Sequence, residues 1–458
     1  MAENDSSYYL VVGLGKTGVS CVKFLLARDI EVKVTDSRLN PPNLDLVRGL
    51  LSDDNISLGE LNEKLIAGAE KIILSPGISA NDPFVKKVHQ EGKAVVGDIQ
   101  IFADHVQSPI IGITGANAKS TVCSLVRDML EGVGKETALG GNIGVPALDL
   151  LDQNSSEAEV FVLELSSFQL ETVEDLPLQV ACLLNISPDH MDRYESLQEY
   201  VGAKQKIFDG AQTLVVNRGD ASTFPSNQRG TQALISFGLD APKENNFGMR
   251  EVDGKKCFVQ GEQILLAVNE VKLRGAHNYL NILAAFSVCA GMKVDLEKAK
   301  DAVRSFSGLP HRCEWVGSFD GVDWINDSKG TNVGATLAAI EGFQAETEGV
   351  IHLILGGVAK GADFSPLAEA LSNGIGTLFL YGEDSVAIQH CLEQAEIKNL
   401  CCIHVQSLEQ AVSGALQVAA SGDLVLFSPA CASFDMFDNF EHRGDVFKQL
   451  VLERVGNH

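Results

Sequence analysis

Apolar and polar positions along the first hundred residues fall into a repeating rhythm. YYLVVG, IEVKVTD and KIILSPG are short apolar runs rich in β-branched residues, and the intervening SCVKFLLARD has the spacing of an amphipathic helix. That alternation predicts a parallel sheet with crossover helices. A second cycle opens at SPIIGITG and continues through VFVLEL and QVACLLNI; a third runs from VDWINDS through IHLILGG and TLFLYG to DLVLFSP. A chain of 458 residues exceeds one ordinary core at roughly 150 residues per domain, so about three α/β domains are expected. Their boundaries are placed at 1–97, 98–307 and 308–458, the second at GLPHR, where Gly308 and Pro310 stop a helical stretch. Residues 220–262, polar and glycine-rich, read as a peripheral excursion of β hairpins. No short-period repeat points to a solenoid.

Composition narrows the function classes. The chain is 45% apolar and 21% charged, without a polar low-complexity tract, so most of it is expected to fold. A net charge of −25 with no basic block argues against a nucleic-acid partner, and any anionic ligand must meet local cations. MAENDSSYYL lacks the basic and apolar segments of a secretory signal, and no apolar run reaches the ~20 residues that cross a bilayer. A cytoplasmic protein without a membrane partner is expected. The ten cysteines show no repeated C-x-x-C spacing and read as core thiols of a reducing compartment.

Two glycine-rich turns carry candidate chemistry. Gly13, Gly15 and Gly18 stand between a strand and a helix, and Asp36 closes the next strand about twenty residues on, the spacing of a dinucleotide fold. The same turn suits NAD, the diphosphate of a UDP-linked sugar, or strand-to-helix packing alone. A second turn, Ser75-Pro76-Gly77, follows another strand and can converge on the first. Further on, ITGANAKST reads as strand, phosphate loop and helix, with Val122, Leu125, Val126, Met129 and Leu130 as a buried stripe. In that context Lys119 reaches the β- and γ-phosphates, Ser120 ligates Mg²⁺, and backbone N–H groups from Gly115 to Ala118 cradle oxygens. Ala118 stands where a glycine normally precedes the lysine. Its methyl group interferes if the position needs a positive φ and costs little if the torsions are helical.

Further blocks follow in order: GGNIG (140–144), LELSSFQL (163–170), NISPDHMDRY (185–194), HNYLN (277–281), LPHRCE (309–314), NDSKGTN (326–332) and SPACASFD (428–435). Together with the phosphate loop they resemble the Mur ligases over nearly the whole chain. The resemblance implies an α/β fold of three domains: a Rossmann-like N-terminal domain for a uridine nucleotide, a central P-loop ATPase-type mononucleotide-binding domain, and a Rossmann-like C-terminal domain for an amino acid. It implies ATP-dependent addition of D-glutamate to UDP-N-acetylmuramoyl-L-alanine through an acyl phosphate, in peptidoglycan precursor synthesis, where the protein's task is positioning and charge neutralisation. The chain has no D-N-P-R stretch of the kind that recognises diaminopimelate, which favours glutamate.

Residue by residue, the resemblance makes Lys119, Glu164, His190 and Lys204 catalytic. Ser120, Glu164, His190 and Lys204, the last as a carbamate, would hold two Mg²⁺ ions. ATP would meet Gly115, Ala116, Asn117, Ala118, Lys119, Ser120, Thr121, Asn278, Asn281, Arg312 and Asp327. The UDP substrate would meet Gly15, Lys16, Thr17, Asp36, Ser37, Arg38, Ser75, Gly77, Asn142 and His190. D-Glutamate would meet Lys329, Thr331, Lys360, Ser428 and Phe434. Carbamylation suits a lysine beside magnesium, because an ammonium repels the ion and a carbamate oxygen binds it. Spacing alone does not separate Lys204 from Lys206. A monomer is expected. Beyond Ala118 the chain departs from the family at Val358 and Ala359, where relatives usually carry an aspartate, and at Ala276, where a polar residue is common. These departures keep a second reading in view, a catalytically impaired homologue that binds the UDP precursor or a nucleotide. An NAD-dependent oxidoreductase is the third, and it leaves the phosphate loop and SPACAS without a role.

Overall fold

The computed structural model describes residues 7–79, 81–154, 158–191, 193–226, 230–344, 347–359, 361–394 and 400–454. They pack as two compact units. One comprises the chain to Val268 with Ile282–Val303, and the other Asn269–Asn281 with the chain from Arg304.

The first unit holds two sheets. A five-stranded parallel sheet has the order Ile56–Leu58, Val32–Asp36, Tyr8–Val12, Ala69–Leu74, Val95–Val96. Its inner strands are apolar on both faces because helices cover both. Strand order reverses between Tyr8–Val12 and Ala69–Leu74, and there the two glycine turns emerge side by side. Gly13 takes φ +93°, and a Cβ on it would stand 2.9 Å from the Ser75 Cβ. A Cβ on Gly18 would stand 1.9 Å from the Gly13 carbonyl oxygen, so the helix Lys16–Leu26 can start against the turn only with glycine there.

The second sheet has nine strands in the order Gln263–Ala267, Lys255–Gln260, Phe247–Val252, Ala233–Phe237, Thr213–Asn217, Val180–Leu183, Ile110–Thr114, Val160–Glu164, Thr137–Gly141. Ile110–Thr114 sits between Val160–Glu164 and Val180–Leu183, all parallel, so the phosphate loop leaves the interior of the sheet. Residues 220–262 are part of this sheet, not an excursion from it. Ala233–Phe237 pairs in parallel with Thr213–Asn217, and the three outermost strands form an antiparallel meander. Buried Phe237, Phe247, Phe258 and Val259 fasten that edge. One apolar core joins the two sheets through the helices Asp98–His105 and Ala147–Asn154, with Phe102 against Phe161.

The second unit carries a six-stranded sheet: Glu314–Phe319, Val322–Asn326, Leu424–Phe427, Ile351–Gly356, Ile375–Tyr381, Cys401–His404. Only the first strand runs antiparallel. Separate apolar clusters cover its two faces. No helix among the described residues is long and apolar enough to cross a membrane.

Within the first unit, Asp98 opens its helix at 1% exposure and accepts a hydrogen bond from Gln169 Nε2 at 3.1 Å. Burial pushes its carboxyl up from 3.8 to about 6. The folded state therefore keeps a proton that the unfolded chain releases, so this group's contribution to stability is present at low pH and lost as pH rises through 6. Asp98→Asn has no such titration. Its stability relative to the parent should improve by about 2.5 kcal/mol between about pH 4 and about pH 8, read by denaturant unfolding across that range. A difference that does not change with pH would refute it.

Candidate active site

The strand Ile110–Thr114 is buried throughout and delivers the chain to Gly115–Ala118, after which the helix Lys119–Gly132 begins. Val122, Leu125, Val126, Met129 and Leu130, the expected stripe, are all 0% exposed and hold the helix on the sheet. The loop is shaped from outside its own sequence. Asn185, just past the neighbouring strand, accepts the Ala116 N–H on its carbonyl at 2.9 Å and the Asn117 N–H on Oδ1 at 2.8 Å. Its own Nδ2 donates to the Asn117 carbonyl at 3.3 Å. Ala118 takes φ 66° and ψ −1°, the left-handed conformation. Of the two possibilities open from sequence, this is the one that charges alanine a penalty, roughly 1–2 kcal/mol against a right-handed residue.

Two lysine side chains converge on one oxygen of this loop. Lys119 Nζ donates to the carbonyls of Gly115 at 2.8 Å and Ala116 at 2.9 Å, and Lys204 Nζ donates to Gly115 at 2.9 Å. Lys204 is 2% exposed. Burial first, and then the charge of Lys119, hold its amine well below the usual lysine range. Lys206, which spacing left as an equal candidate, instead donates to the Glu171 carbonyl at 2.6 Å. Lys204 is thus the lysine aimed at the loop.

Beside the loop, Glu164 ends an apolar strand at 3% exposure. Oε2 accepts the Ser120 hydroxyl at 2.6 Å and Oε1 accepts Asn142 Nδ2 at 2.7 Å. Register explains the meeting: Glu164 pairs with Ile113 on one side and Gly141 on the other. Among the described residues no group of three or more His, Cys, Asp or Glu side chains forms a metal cage. A hydroxyl and a carboxylate are nevertheless the hard donors Mg²⁺ takes when phosphate and water complete its shell, so Ser120 and Glu164 fit that ion. Lys204 as an amine is no ligand; only an anionic adduct would make it one. His190, at φ 56°, is about half exposed, with Nε2 3.7 Å from Asp189 Oδ2 and its ring 4.8 Å from that of Phe168.

At the first sheet, Asp36 is 2% exposed and ties the glycine turn to its own strand end. Oδ2 accepts the Leu14 N–H at 2.7 Å, and Arg38 forks onto both oxygens at 2.9 and 2.7 Å. Burial raises the carboxyl's pKa, but the Arg38 fork and the Leu14 N–H outweigh it and leave the value below the usual one. Gly15 caps the helix that starts with Lys16 and Thr17. Ser37 and Gly77 are exposed and Ser75 is buried.

The second unit holds the remaining candidates. Asp327 and Ser428 follow adjacent parallel strands, and the Ser428 hydroxyl donates to Asp327 Oδ2 at 2.7 Å. Cys313 N–H donates to Oδ1 at 3.1 Å, and burial pushes the Asp327 carboxyl up to about 6. Thr336 Oγ1 lies 2.9 Å from the same hydroxyl. Lys329 Nζ lies 4.0 Å over the Phe440 ring, Thr331 and Arg312 are half-buried, and Phe434 is 69% exposed. Asn278 and Asn281 bond to one another at 3.2 Å, and Asn278 borders a cavity of about 890 Å³ that also meets Arg274, Pro310, Trp315 and Thr347. Lys360 lies outside the described residues. At the departures near it, Val358 pairs in both directions with Ala432, and the Ala359 N–H donates to Asp384 Oδ2 at 2.7 Å, so a carboxylate does serve this loop. After Ala276, the ring nitrogens of His277 are buried, which lowers its pKa to about 4 and keeps it neutral.

Sequence reasoning missed Asn185, Thr336 and Arg443. Arg443, 0% exposed, donates to Ser328 and to the Cys431 carbonyl and so joins two of the loops carrying candidate residues. Asn185 lay inside a recognised block, but its partners are distant in sequence.

The left-handed Ala118 yields a direct test. Ala118→Gly should stabilise the protein by about 0.5–1 kcal/mol, because relief of the strain exceeds the extra entropy of an unfolded glycine. The strain exists with or without nucleotide, so the KM for ATP should move by less than about tenfold. Thermal unfolding and steady-state kinetics check the two parts, and a loss of stability would overturn the argument.

Family models for the MurD-like N-terminal domain of Mur ligases, the Mur ligase middle domain and the Mur ligase glutamate ligase domain match residues 7–97, 113–289 and 311–431. A UDP-N-acetylmuramoylalanine--D-glutamate ligase of Pseudomonas putida is 45% identical, with 98% of each chain covered. One of Pseudomonas aeruginosa is 44% identical over 97% of this chain and 98% of its own. Among solved structures, a Thermotoga maritima MurF ligase in complex with ADP matches with TM-score 0.61 at 16% identity, covering 99% of this chain and all of the other. The chain belongs to the Mur ligase family.

Proposed function

We propose that the chain is an ATP-dependent ligase that joins D-glutamate to UDP-N-acetylmuramoyl-L-alanine in peptidoglycan precursor synthesis. The observation that carries the reading is the convergence of Lys119, Lys204, Ser120 and Glu164 around Gly115, on a chain alike over nearly its whole length to ligases of that name. Lys119, at the helix start beside the loop amides, neutralises the charge of the β- and γ-phosphates. The alanyl carboxylate oxygen bonds to the γ-phosphorus as the bridging bond to ADP breaks, which gives an acyl phosphate. The amine of D-glutamate then attacks the acyl carbon, phosphate leaves with the bonding pair, and the amine's proton passes to base. Mg²⁺, held by Ser120 and Glu164, would neutralise phosphate charge during transfer.

Lys204 is the natural site of carbamylation. A neutral amine adds to CO₂, the N–C bond forms, one proton leaves to solvent, and an anionic oxygen ligand results. The depressed pKa supplies the neutral amine, and the adduct would turn it into an anionic oxygen ligand for a second ion. In the same reading the uridine nucleotide lies on the first sheet at Gly15, Lys16, Thr17, Asp36, Ser37, Arg38, Ser75 and Gly77, with Asn142 and His190. Asn278, Asn281, Arg312 and Asp327 serve ATP, and Lys329, Thr331, Lys360, Ser428 and Phe434 serve D-glutamate. The domains divide near 97 and 307, and the protein works as a cytoplasmic monomer. The competing reading, a binding protein without turnover, draws on the left-handed Ala118 alone.

Phosphate release should require ATP, Mg²⁺, the UDP precursor and D-glutamate together, and Lys204→Ala should lower kcat by about a hundredfold or more. Activity of the parent protein should fall in CO₂-free buffer and return with bicarbonate. A folded protein that releases no phosphate with every component present sinks the ligase reading, and indifference to bicarbonate sinks the carbamate.

A further inference from the structure

The turn at Ser75–Pro76–Gly77 and the loop that carries His190 belong to different sheets of the first unit, and one side chain grips both. Arg193 comes three residues after His190, and its side chain is only 10% exposed. Nη1 donates to the Pro76 carbonyl at 2.8 Å and Nη2 to the Ile78 carbonyl at 3.0 Å, so the guanidinium holds the backbone on either side of Gly77. Its other edge forks onto Glu171, Nε to Oε1 at 3.2 Å and Nη2 to Oε2 at 2.6 Å. Glu171 is held in turn by the Tyr194 hydroxyl at 2.6 Å. The face of the guanidinium lies 3.9 Å from the centre of the Phe168 ring, and that ring meets His190 at 4.8 Å.

These contacts constrain Arg193 in its plane and across its face. Only a guanidinium offers donors along two edges together with a flat cationic surface; an ammonium supplies the charge without the geometry. The gripped turn is open on its outer side, since a Cβ on Gly77 would meet nothing within 4 Å. Its inner carbonyls are taken by Arg193, which leaves the outer surface of the turn to a ligand. We propose that Arg193 is a positioning residue for the uridine-nucleotide substrate: it fixes the Ser75–Ile78 turn relative to the Phe168–His190 pair and so sets the span over which one sugar-nucleotide molecule is held. This rests on the reading of that turn as part of the precursor site.

The two variants to compare are Arg193→Lys, which keeps the charge beside Glu171, and Arg193→Ala. In both, KM for UDP-N-acetylmuramoyl-L-alanine should rise by about tenfold or more, while KM for ATP and for D-glutamate stays within about threefold. Calorimetric titration with the precursor alone should show the same loss of affinity, and the lysine variant should keep a Tm near the parent's. Equal increases in all three KM values would mark a merely structural role and overturn the proposal. So would precursor affinity within about threefold of the parent in the lysine variant, which decides the matter if the alanine variant does not fold. Because the titration needs no turnover, the positioning role and the ligase reading fail separately.

Discussion

A single backbone oxygen, the carbonyl of Gly115, receives two lysine amines, and the chemistry of the first unit follows from that crowding. A carbonyl dipole can satisfy a hydrogen-bond donor but cannot neutralise a second charge in a buried place. The conflict is resolved in two ways at once. Lys204, the more deeply buried amine, is pushed toward its neutral form, while Lys119 is less buried, at the mouth of the loop. The carboxylates of Asp189 and Glu164 oppose that shift without cancelling it, and Glu164 accepts its hydrogen bonds from Ser120 and Asn142. In the proposed ligase reading, the phosphate oxygens of ATP are the anion these two amines meet.

The sheets explain why such groups can be buried at all. In a parallel sheet covered on both faces, polar side chains are tolerated at the carboxyl ends of strands, where helix N-termini and loop amides offer donors. Asp36, Glu164 and Asp327 each stand at such an end, one per sheet, and each is held by donors from a neighbouring segment. The two aspartates differ in protonation with burial and with those donors. A guanidinium fork holds Asp36 below its usual range, whereas Asp327, facing a hydroxyl and an amide, is raised to about 6. Identical chemistry at equivalent positions is thus tuned by what the adjacent strand ends provide.

The sequence carried the local parts of this well. The unit from Ile110 to Gly132 is legible because strand, loop and helix are contiguous and their periodicities differ. The meeting of the two glycine turns was also visible, since both follow strands that flank a reversal of order. The extension of the central sheet through Gln263–Ala267 was not: residues 220–262 read as peripheral β hairpins, and nothing in a hairpin's own pattern says which sheet its strands join. Asn185, Arg193 and Arg443 escaped for a related reason. Their partners are distant in sequence, and asparagine or arginine in a polar stretch is ordinarily a surface residue. A side chain's torsion and burial are tertiary facts, so neither the φ of Ala118 nor the choice between Lys204 and Lys206 had a local signal.

The alanine in the phosphate loop shows how the levels connect. A left-handed alanine persists only where the surroundings fix the backbone more strongly than the strain opposes it. Asn185 supplies that constraint from the next strand end, with two bonds accepted and one donated over three atoms of the loop's path. The helix that follows adds its own, because a fully buried stripe leaves Lys119–Gly132 no freedom to shift and relieve the turn. Glycine is therefore dispensable at position 118 as long as the asparagine and the stripe remain. The loop keeps its shape by tertiary restraint where a glycine would rely on backbone freedom.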